Sequence, residues 1–120
     1  MLRLPQFEVE SPDTVEGVVT ALQRQPGARL VAGGTDILPN LKHFLDTPPA
    51  LISLARVTAL RGVVRDDAAG VLRIGAGVTL TQIAEHAEVR ALFPSLAHAA
   101  GLVASPLIRN MGTLGGNVNL

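Results

Sequence analysis

The 120-residue chain has no cysteine, and its only aromatic residues are Phe7, Phe44 and Phe93. Without cysteine, these residues form no disulfide, carry no thiol nucleophile and supply no thiolate to a zinc or iron–sulfur site. The scarcity of aromatic rings and a formal net charge of zero leave neither the stacking surface nor the basic patch of a nucleic-acid-binding protein. We therefore expect no nucleic acid among its partners.

Long apolar runs are also absent. No run approaches the roughly 18 residues that a membrane-spanning helix needs, and the N-terminus reaches the acidic Glu8 without a long apolar core. The composition, 48% hydrophobic and 17% charged, is that of a folded domain with a buried core. The sequence thus predicts one cytoplasmic domain over residues 1–120, without membrane insertion.

Two pairs of adjacent glycines are present, Gly33–Gly34 and Gly115–Gly116. The first lies between a predicted strand, residues 28–32, and a predicted helix, residues 37–45, and the second closes the run 109–117. Glycine allows a positive φ and close approach of a ligand, so that N–H groups at a helix start can bind a phosphate. A tight strand-to-helix turn explains one pair equally well. Two pairs, each beside a threonine, favour a shared phosphate-containing ligand.

The first half of the chain reads as strand, helix, strand, helix, strand, which predicts a parallel α/β unit. The first helix follows Asp13, a predicted N-cap with Glu16 three residues later, as in a capping box. Thr35 or Asp36 is expected to cap the second helix. The strands are predicted at 7–9, 28–32 and 50–54, the last as a continuous apolar run that is covered on both faces.

The second half predicts a β-hairpin followed by helices. Residues 60–65 and 71–74 flank a turn-rich segment, and Gly75 to Val78 extend the second strand with small residues, where another backbone or a flat ligand can pass closely. Thr79 and Gln82 form a capping box, and Ser95 is a predicted cap of an alanine-rich helix over residues 96–103. Residues 118–120 resemble the start of a strand, which favours a chain truncated at its C-terminus.

Isolated polar residues give weaker evidence for a metal or catalytic site. His43, His86 and His98 lie on predicted helices without a carboxylate at metal-ligand spacing, so surface or packed histidines are favoured over metal ligands. The pair Asp66–Asp67 is interpreted as turn chemistry rather than an acid/base couple.

Neither glycine stretch has the spacing of a Rossmann fingerprint or the Gly-Lys-Ser/Thr ending of a P-loop. Asp36 is interpreted as a helix cap or a hydroxyl acceptor rather than a catalytic base, with capping favoured, since a carboxylate beside a pyrophosphate would be repelled unless it is turned away. Arg109 either steadies a phosphate or a partner subunit, or it is simply solvated.

Three ordered motifs resemble the FAD-binding subunit of molybdenum-containing hydroxylases: residues 32–36, 74–79 and 109–117. That family includes the medium subunit of aerobic carbon monoxide dehydrogenase, the flavin domain of xanthine dehydrogenase and the beta subunit of 4-hydroxybenzoyl-CoA reductase. The run 34–41 is most similar to the last of these. That beta subunit carries a cysteine-ligated iron–sulfur cluster, which this cysteine-free chain cannot hold.

The resemblance implies an α+β fold, the α/β N-terminal subdomain of a vanillyl-alcohol oxidase (PCMH)-type FAD-binding domain. FAD would be the cofactor of this chain, and the molybdenum cofactor and iron–sulfur clusters would belong to large and small partner subunits. Electrons would pass through FAD between the clusters and an external donor or acceptor, with no substrate chemistry in this chain. The alternative is a non-catalytic α/β fragment or interaction module that keeps the fold and binds no FAD.

The same resemblance implies which residues would bind FAD. One segment would wrap the pyrophosphate and ribityl chain with backbone N–H groups, a second would form another phosphate loop, and one alanine would contact the flavin. The first segment is Leu30, Val31, Ala32, Gly33, Gly34, Thr35, Asp36 and Ile37; the second is Thr113, Leu114, Gly115, Gly116 and Asn117; the alanine is Ala104.

Overall fold

The computed structural model describes residues 2–120. They form a mixed arrangement of helices and strands that divides into two compact units, the first ending at Ala59 and the second comprising Leu60–Leu120. No helix within residues 2–120 is both long and apolar enough to cross a membrane.

The first unit contains a three-stranded parallel sheet with the strand order β1-β3-β2. β3 therefore has neighbours on both sides, with Leu51 opposite both Val9 and Arg29. Its first three residues are buried, which confirms the strand predicted from the continuous apolar run. The strands are β1 (Glu8–Glu10), β2 (Arg29–Val31) and β3 (Ala50–Ser53).

Helix α1 (Val15–Arg24) begins one residue later than predicted. Thr14 has an extended backbone and its Oγ1 accepts a hydrogen bond from the N–H of Gly17 at 3.0 Å. The cap predicted at Asp13 is therefore wrong. With Thr14 as N-cap, Glu16 is the second helical residue, one position short of the third that a capping box requires.

The second unit begins with an antiparallel hairpin of β4 (Val63–Asp66) and β5 (Val71–Ile74). β4 starts three residues later than predicted, because Gly62 has a φ of +92° and the carbonyl of Leu60 accepts from the N–H of Gly77 at 2.7 Å. Asp66 Oδ1 accepts from the N–H of Ala69 at 3.0 Å, which confirms its role in the turn.

Five helices follow the hairpin. The predicted capping box is confirmed: Thr79 Oγ1 accepts from the N–H of Gln82 at 3.2 Å, and Gln82 Oε1 accepts from the N–H of Thr79 at 2.9 Å. The helices are α3 (Leu80–Glu85), α4 (Ala87–Leu92), α5 (Pro94–Leu102), α6 (Pro106–Met111) and α7 (Leu114–Val118). Helices α3, α4 and α5, together with Val78, supply a core cluster of Val78, Leu80, Ile83, Val89, Ala97 and Ala100.

The cap predicted at Ser95 and the strand predicted at residues 118–120 are wrong. Ser95 lies inside α5 and does not cap it, because Pro94 occupies the first helical position, where its fixed φ and missing N–H fit. Residues 118–120 do not start a strand, since Val118 is the last residue of α7 and Asn119 closes that helix by donating its N–H to the carbonyl of Gly115.

Candidate functional site

The first glycine pair forms the connection between β2 and α2 (Ile37–Lys42). Gly34 has a φ of +73°, in the left-handed region that favours glycine. A Cβ at this position would lie 3.0 Å from Leu38 Cδ1. Both the backbone angle and the space therefore account for glycine at residue 34, and the predicted turn is confirmed here.

This loop leaves a run of backbone donors without partners. Within residues 2–120, the structure assigns no hydrogen-bond acceptor to the N–H groups of Gly33, Gly34, Thr35, Asp36 and Ile37. The first donor of the helix is the N–H of Leu38, which reaches the carbonyl of Gly34 at 3.2 Å. Successive free N–H groups in a turn before a helix are suited to binding an anion.

Asp36 occupies the N-cap position of α2, yet its side chain makes no capping hydrogen bond. Its backbone is helical, with φ −106° and ψ −51°, so the carboxylate does not face the helix-start N–H groups. Asp36 Oδ2 instead accepts from Asn40 Nδ2 at 3.0 Å. The predicted side-chain cap is therefore wrong, because the Asp36 carboxylate binds Asn40 and makes no hydrogen bond to the start of the helix.

The second glycine pair is not a turn. Gly115 and Gly116 lie within α7, and neither has a positive φ. Thr113, which is buried, is the N-cap, and its Oγ1 accepts from the N–H of Gly116 at 3.1 Å. The turn predicted for this pair is therefore wrong. Both residues have helical φ values, and glycine is required here for its small size in packing.

The packing partner of α7 is the backbone after β5. A Cβ at Gly115 would lie 2.8 Å from the Cβ of Ala76, and one at Gly75 would lie 2.2 Å from the carbonyl oxygen of Leu60. The N–H of Gly115 donates to the carbonyl of Ala76 at 2.8 Å. The sequence predicted that another backbone or a flat ligand could pass close to the segment from Gly75 to Val78. In the structure, the backbone of Gly115 does so.

The backbone N–H groups of the second glycine stretch therefore already donate hydrogen bonds within the chain. The N–H of Leu114 donates to Val78 at 2.9 Å, and the N–H of Asn117 donates to Thr113 at 2.9 Å. With those of Gly115 and Gly116, all four N–H groups from 114 to 117 have acceptors within the chain. The two glycine stretches therefore differ: the first presents free donors, whereas the second is a packed helix start.

Ala104 has a φ of +45°, an uncommon angle for a residue with a Cβ. The carbonyls of Val103 and Ala104 accept from Arg109 Nη1 at 2.9 and 3.1 Å. Helix α6 begins at Pro106, after its N-cap Ser105, whose Oγ accepts from the N–H of Ile108 at 3.3 Å. Sequence reasoning missed both α6 and this arginine contact, although a serine followed by Pro106 is a recognised helix-start pattern.

Other groups in the described part of the chain suggest no competing site. No cluster of His, Asp or Glu side chains among residues 2–120 could hold a metal ion. A shallow depression of about 390 Å³ in the second unit contains none of the predicted FAD-binding residues. Its lining is Ala84, Arg90, Pro94, Ala97, His98, Gly101 and Leu102.

Comparison with known proteins then identifies the family. The model of the FAD binding domain in molybdopterin dehydrogenase matches residues 5–120. The chain belongs to this family. The carbon monoxide dehydrogenase medium chain of Hydrogenophaga pseudoflava is 40% identical over 116 residues, which cover 95% of this chain and 39% of that protein. The xanthine dehydrogenase FAD-binding subunit of Escherichia coli O157:H7 is 37% identical over 105 residues, covering 88% and 36%.

Solved structures agree on the fold of this family member. Carbon monoxide dehydrogenase from Hydrogenophaga pseudoflava matches with a TM-score of 0.92 and 36% identity, over 97% of this chain and 40% of that one. Quinoline 2-oxidoreductase from Pseudomonas putida 86 matches with a TM-score of 0.90 and 34% identity, over 95% and 39%. The predicted fold class is confirmed, and the chain spans 36% to 40% of the length of these relatives.

Proposed function

We propose that this chain binds FAD and forms part of the flavin-carrying subunit of a molybdenum hydroxylase-type oxidoreductase. The observation that carries the proposal is the run of unpartnered N–H groups from Gly33 to Ile37, in a chain of the FAD-binding family. These donors include the N–H of the left-handed Gly34 and extend to Ile37, the first residue of α2. Backbone N–H groups in that arrangement bind phosphate oxygens, and FAD carries a pyrophosphate.

Residues 30–37 are proposed to wrap the pyrophosphate and ribityl chain. Asp36 stays compatible with a nearby anion because its carboxylate is engaged with Asn40. The loop thus offers donors while its one negative charge is directed along α2. No other side chain is needed to explain why an anion would bind here.

The second segment, residues 113–117, is proposed to contact FAD by a different means. Since its N–H groups from 114 to 117 already have acceptors, the exposed side chain of Asn117 is the group best able to reach a phosphate. Buried Thr113 and the packed glycines would hold that side chain in place. Ala104 is proposed to contact the flavin ring through its left-handed backbone.

Within a complex, bound FAD would exchange electrons with iron–sulfur clusters and with an external donor or acceptor. The partners proposed are a large subunit with a molybdenum cofactor and a small iron–sulfur subunit, as the family resemblance implies. The names of the relatives, a medium chain and an FAD-binding subunit, support a complex of several subunits. This chain's own residues would bind and orient the flavin. A specific likeness to 4-hydroxybenzoyl-CoA reductase stays a prediction.

A ligand series tests the proposal. The chain is titrated with FAD, FMN and riboflavin, and flavin fluorescence is recorded with the melting temperature, which a ligand that binds the native state raises. We expect FAD to bind most tightly and riboflavin, which has no phosphate, to bind least. Absence of FAD binding would favour the alternative, an α/β fragment or interaction module without flavin. Equal binding of all three ligands would contradict the role of the phosphate loop.

A further inference from the structure

The first glycine loop leaves the parallel sheet at the edge where its strands end. The three strands run in the same direction, so their carboxyl ends lie together at this edge. Open α/β sheets bind ligands outside the carboxyl ends of their strands. Residues 33–37, with their free N–H groups, follow β2 here, and the segment after β3 lies beside them because β3 pairs with β2. A side chain on that segment is therefore placed to meet a ligand of the loop.

The segment after β3 is a tight turn that carries Arg56. At its start, the N–H of Leu54 donates to the carbonyl of Val31, the last residue of β2, at 2.9 Å. At its end, the N–H of Val57 donates back to the carbonyl of Leu54 at 3.1 Å, and the Val57 side chain is fully buried. The backbone at Arg56 is thus held on both sides, two residues beyond the contact with β2.

The charge of Arg56 is not used within the fold. Its side chain is exposed and forms no ion pair or hydrogen bond with any group among residues 2–120. Two other arginines of the first unit differ in this respect, because Arg24 pairs with Glu10 and Arg29 with Asp46. The guanidinium of Arg56 is consequently available to an anion from outside the chain.

The loop itself has no positive side chain. Its N–H groups give an anion a place to bind, but each carries only a partial charge. Each phosphate of the FAD pyrophosphate is negatively charged, and the one charged side chain of residues 33–37 is Asp36, which has the same sign. A cation from a neighbouring segment would offset this charge.

The backbone brings Arg56 close enough to supply it. Gly33 is two residues beyond Val31, and Arg56 is two residues beyond Leu54, so about 7 Å of chain at most separates each from the contact between these strand ends. A long arginine side chain spans a gap of that order, and its planar guanidinium binds phosphate with paired N–H donors.

We infer that Arg56 binds the pyrophosphate of FAD together with the N–H groups of residues 33–37. The inference rests on the proposed function, since it takes this loop to bind FAD. The N–H groups determine where the anion lies. Arg56 adds the full positive charge by which the chain distinguishes FAD from riboflavin, a flavin without phosphate.

The test compares Arg56→Met with Arg3→Met. Arg3 is a matched control, because it is an exposed arginine of the same unit, has no ion pair or hydrogen bond among the described residues, and precedes β1 instead of following a strand. Both variants lose one unpaired surface charge, so the melting temperature of each apoprotein should stay close to that of the unmodified chain. We expect only R56M to weaken FAD binding, by about tenfold, the loss of one hydrogen bond to a charged group. Riboflavin binding should be the same in all three proteins.

Salt dependence separates a charge contact from a structural role. The FAD affinity of the unmodified chain should fall as the salt concentration rises, and that of R56M should fall less. R56K, which keeps the charge without the planar fork, should retain an affinity between those of R56M and the unmodified chain.

Four results would overturn the inference: unchanged FAD affinity in R56M, an equal loss in R3M, an equal loss of riboflavin binding in R56M, or a lowered melting temperature of R56M apoprotein. Any of these beside normal FAD binding by the unmodified chain would leave the proposed function standing. Absence of FAD binding in the unmodified chain would contradict the proposed function and this inference together.

Discussion

At the scale of single residues, Gly34 decides whether the first loop can present its N–H groups. Its φ of +73° sets the direction of the peptide units that follow, and the same angle in any other residue is strained. The hairpin turn offers an ideal comparison. Gly70 has a φ of +65° with no atom near a prospective Cβ, and it belongs to no predicted FAD segment.

We expect Gly34→Ala and Gly70→Ala each to lose about 1–2 kcal/mol of stability, because both place a Cβ on a left-handed residue, and G34A to lose somewhat more, because its Cβ would lie 3.0 Å from Leu38 Cδ1. Only G34A should weaken FAD binding, by about 1.5–3 kcal/mol, the range for hydrogen bonds to a charged group. Chemical denaturation and FAD titration measure the two effects. If G70A lost as much FAD affinity as G34A, the loop would have no special role.

The position of Asp36 was predictable from the sequence, whereas the direction of its carboxylate was not. Its place at the start of α2 was predictable from an acidic residue before an apolar helix, and that place is confirmed. Its helical φ and ψ were not predictable, and they direct the carboxylate to Asn40 rather than to the loop.

At the scale of elements, the start of α1 depends on a single hydroxyl. Thr14→Ala removes the acceptor for the Gly17 N–H and should cost about 1 kcal/mol of stability, whereas Asp13→Ala should cost little. Urea denaturation of both variants measures the difference. A larger loss in D13A than in T14A would contradict the cap seen in the structure.

Substitution by alanine at two helical glycines should change the stability of the chain in opposite directions. Gly101 lies inside α5 with 3.7 Å between a prospective Cβ and the Cβ of Ala84, so Gly101→Ala should stabilise the chain by about 0.5–1 kcal/mol. Gly115→Ala would place its Cβ 2.8 Å from the Cβ of Ala76 and should destabilise it by about 1–3 kcal/mol. Thermal denaturation measures both changes. A neutral G115A would show that α7 does not pack tightly against residue 76.

Elements specified by local chemistry were predictable, and those specified by distant contacts were not. The buried strand β3 and the capping box of α3 follow from an apolar run and from Thr79 with Gln82. Gly115 and Gly116 resemble a turn in the sequence, because nothing local reveals that Ala76 requires the small size of Gly115. Helix α6 has only six residues, too few for a clear periodic signal, and tertiary packing supplies most of the stability of such short helices.

At the scale of the whole molecule, the proposed FAD-binding residues fall in both units. Residues 30–37 belong to the first unit, and Ala104 and residues 113–117 belong to the second. The order of the motifs made the family predictable from the sequence, and the family model confirms it over residues 5–120. The division into two units was not predictable, because no linker-like stretch marks it.

The central claim is that the N–H groups of the first loop bind the pyrophosphate of FAD. The most direct measurement is an amide NMR titration of the ¹⁵N-labelled chain with FAD. We predict large shifts for the N–H resonances of Gly33, Gly34 and their neighbours through Ile37, while those of Gly62 and Gly70 in the hairpin stay unchanged. FAD binding that leaves the resonances of residues 33–37 in place, or no binding at all, would contradict the claim.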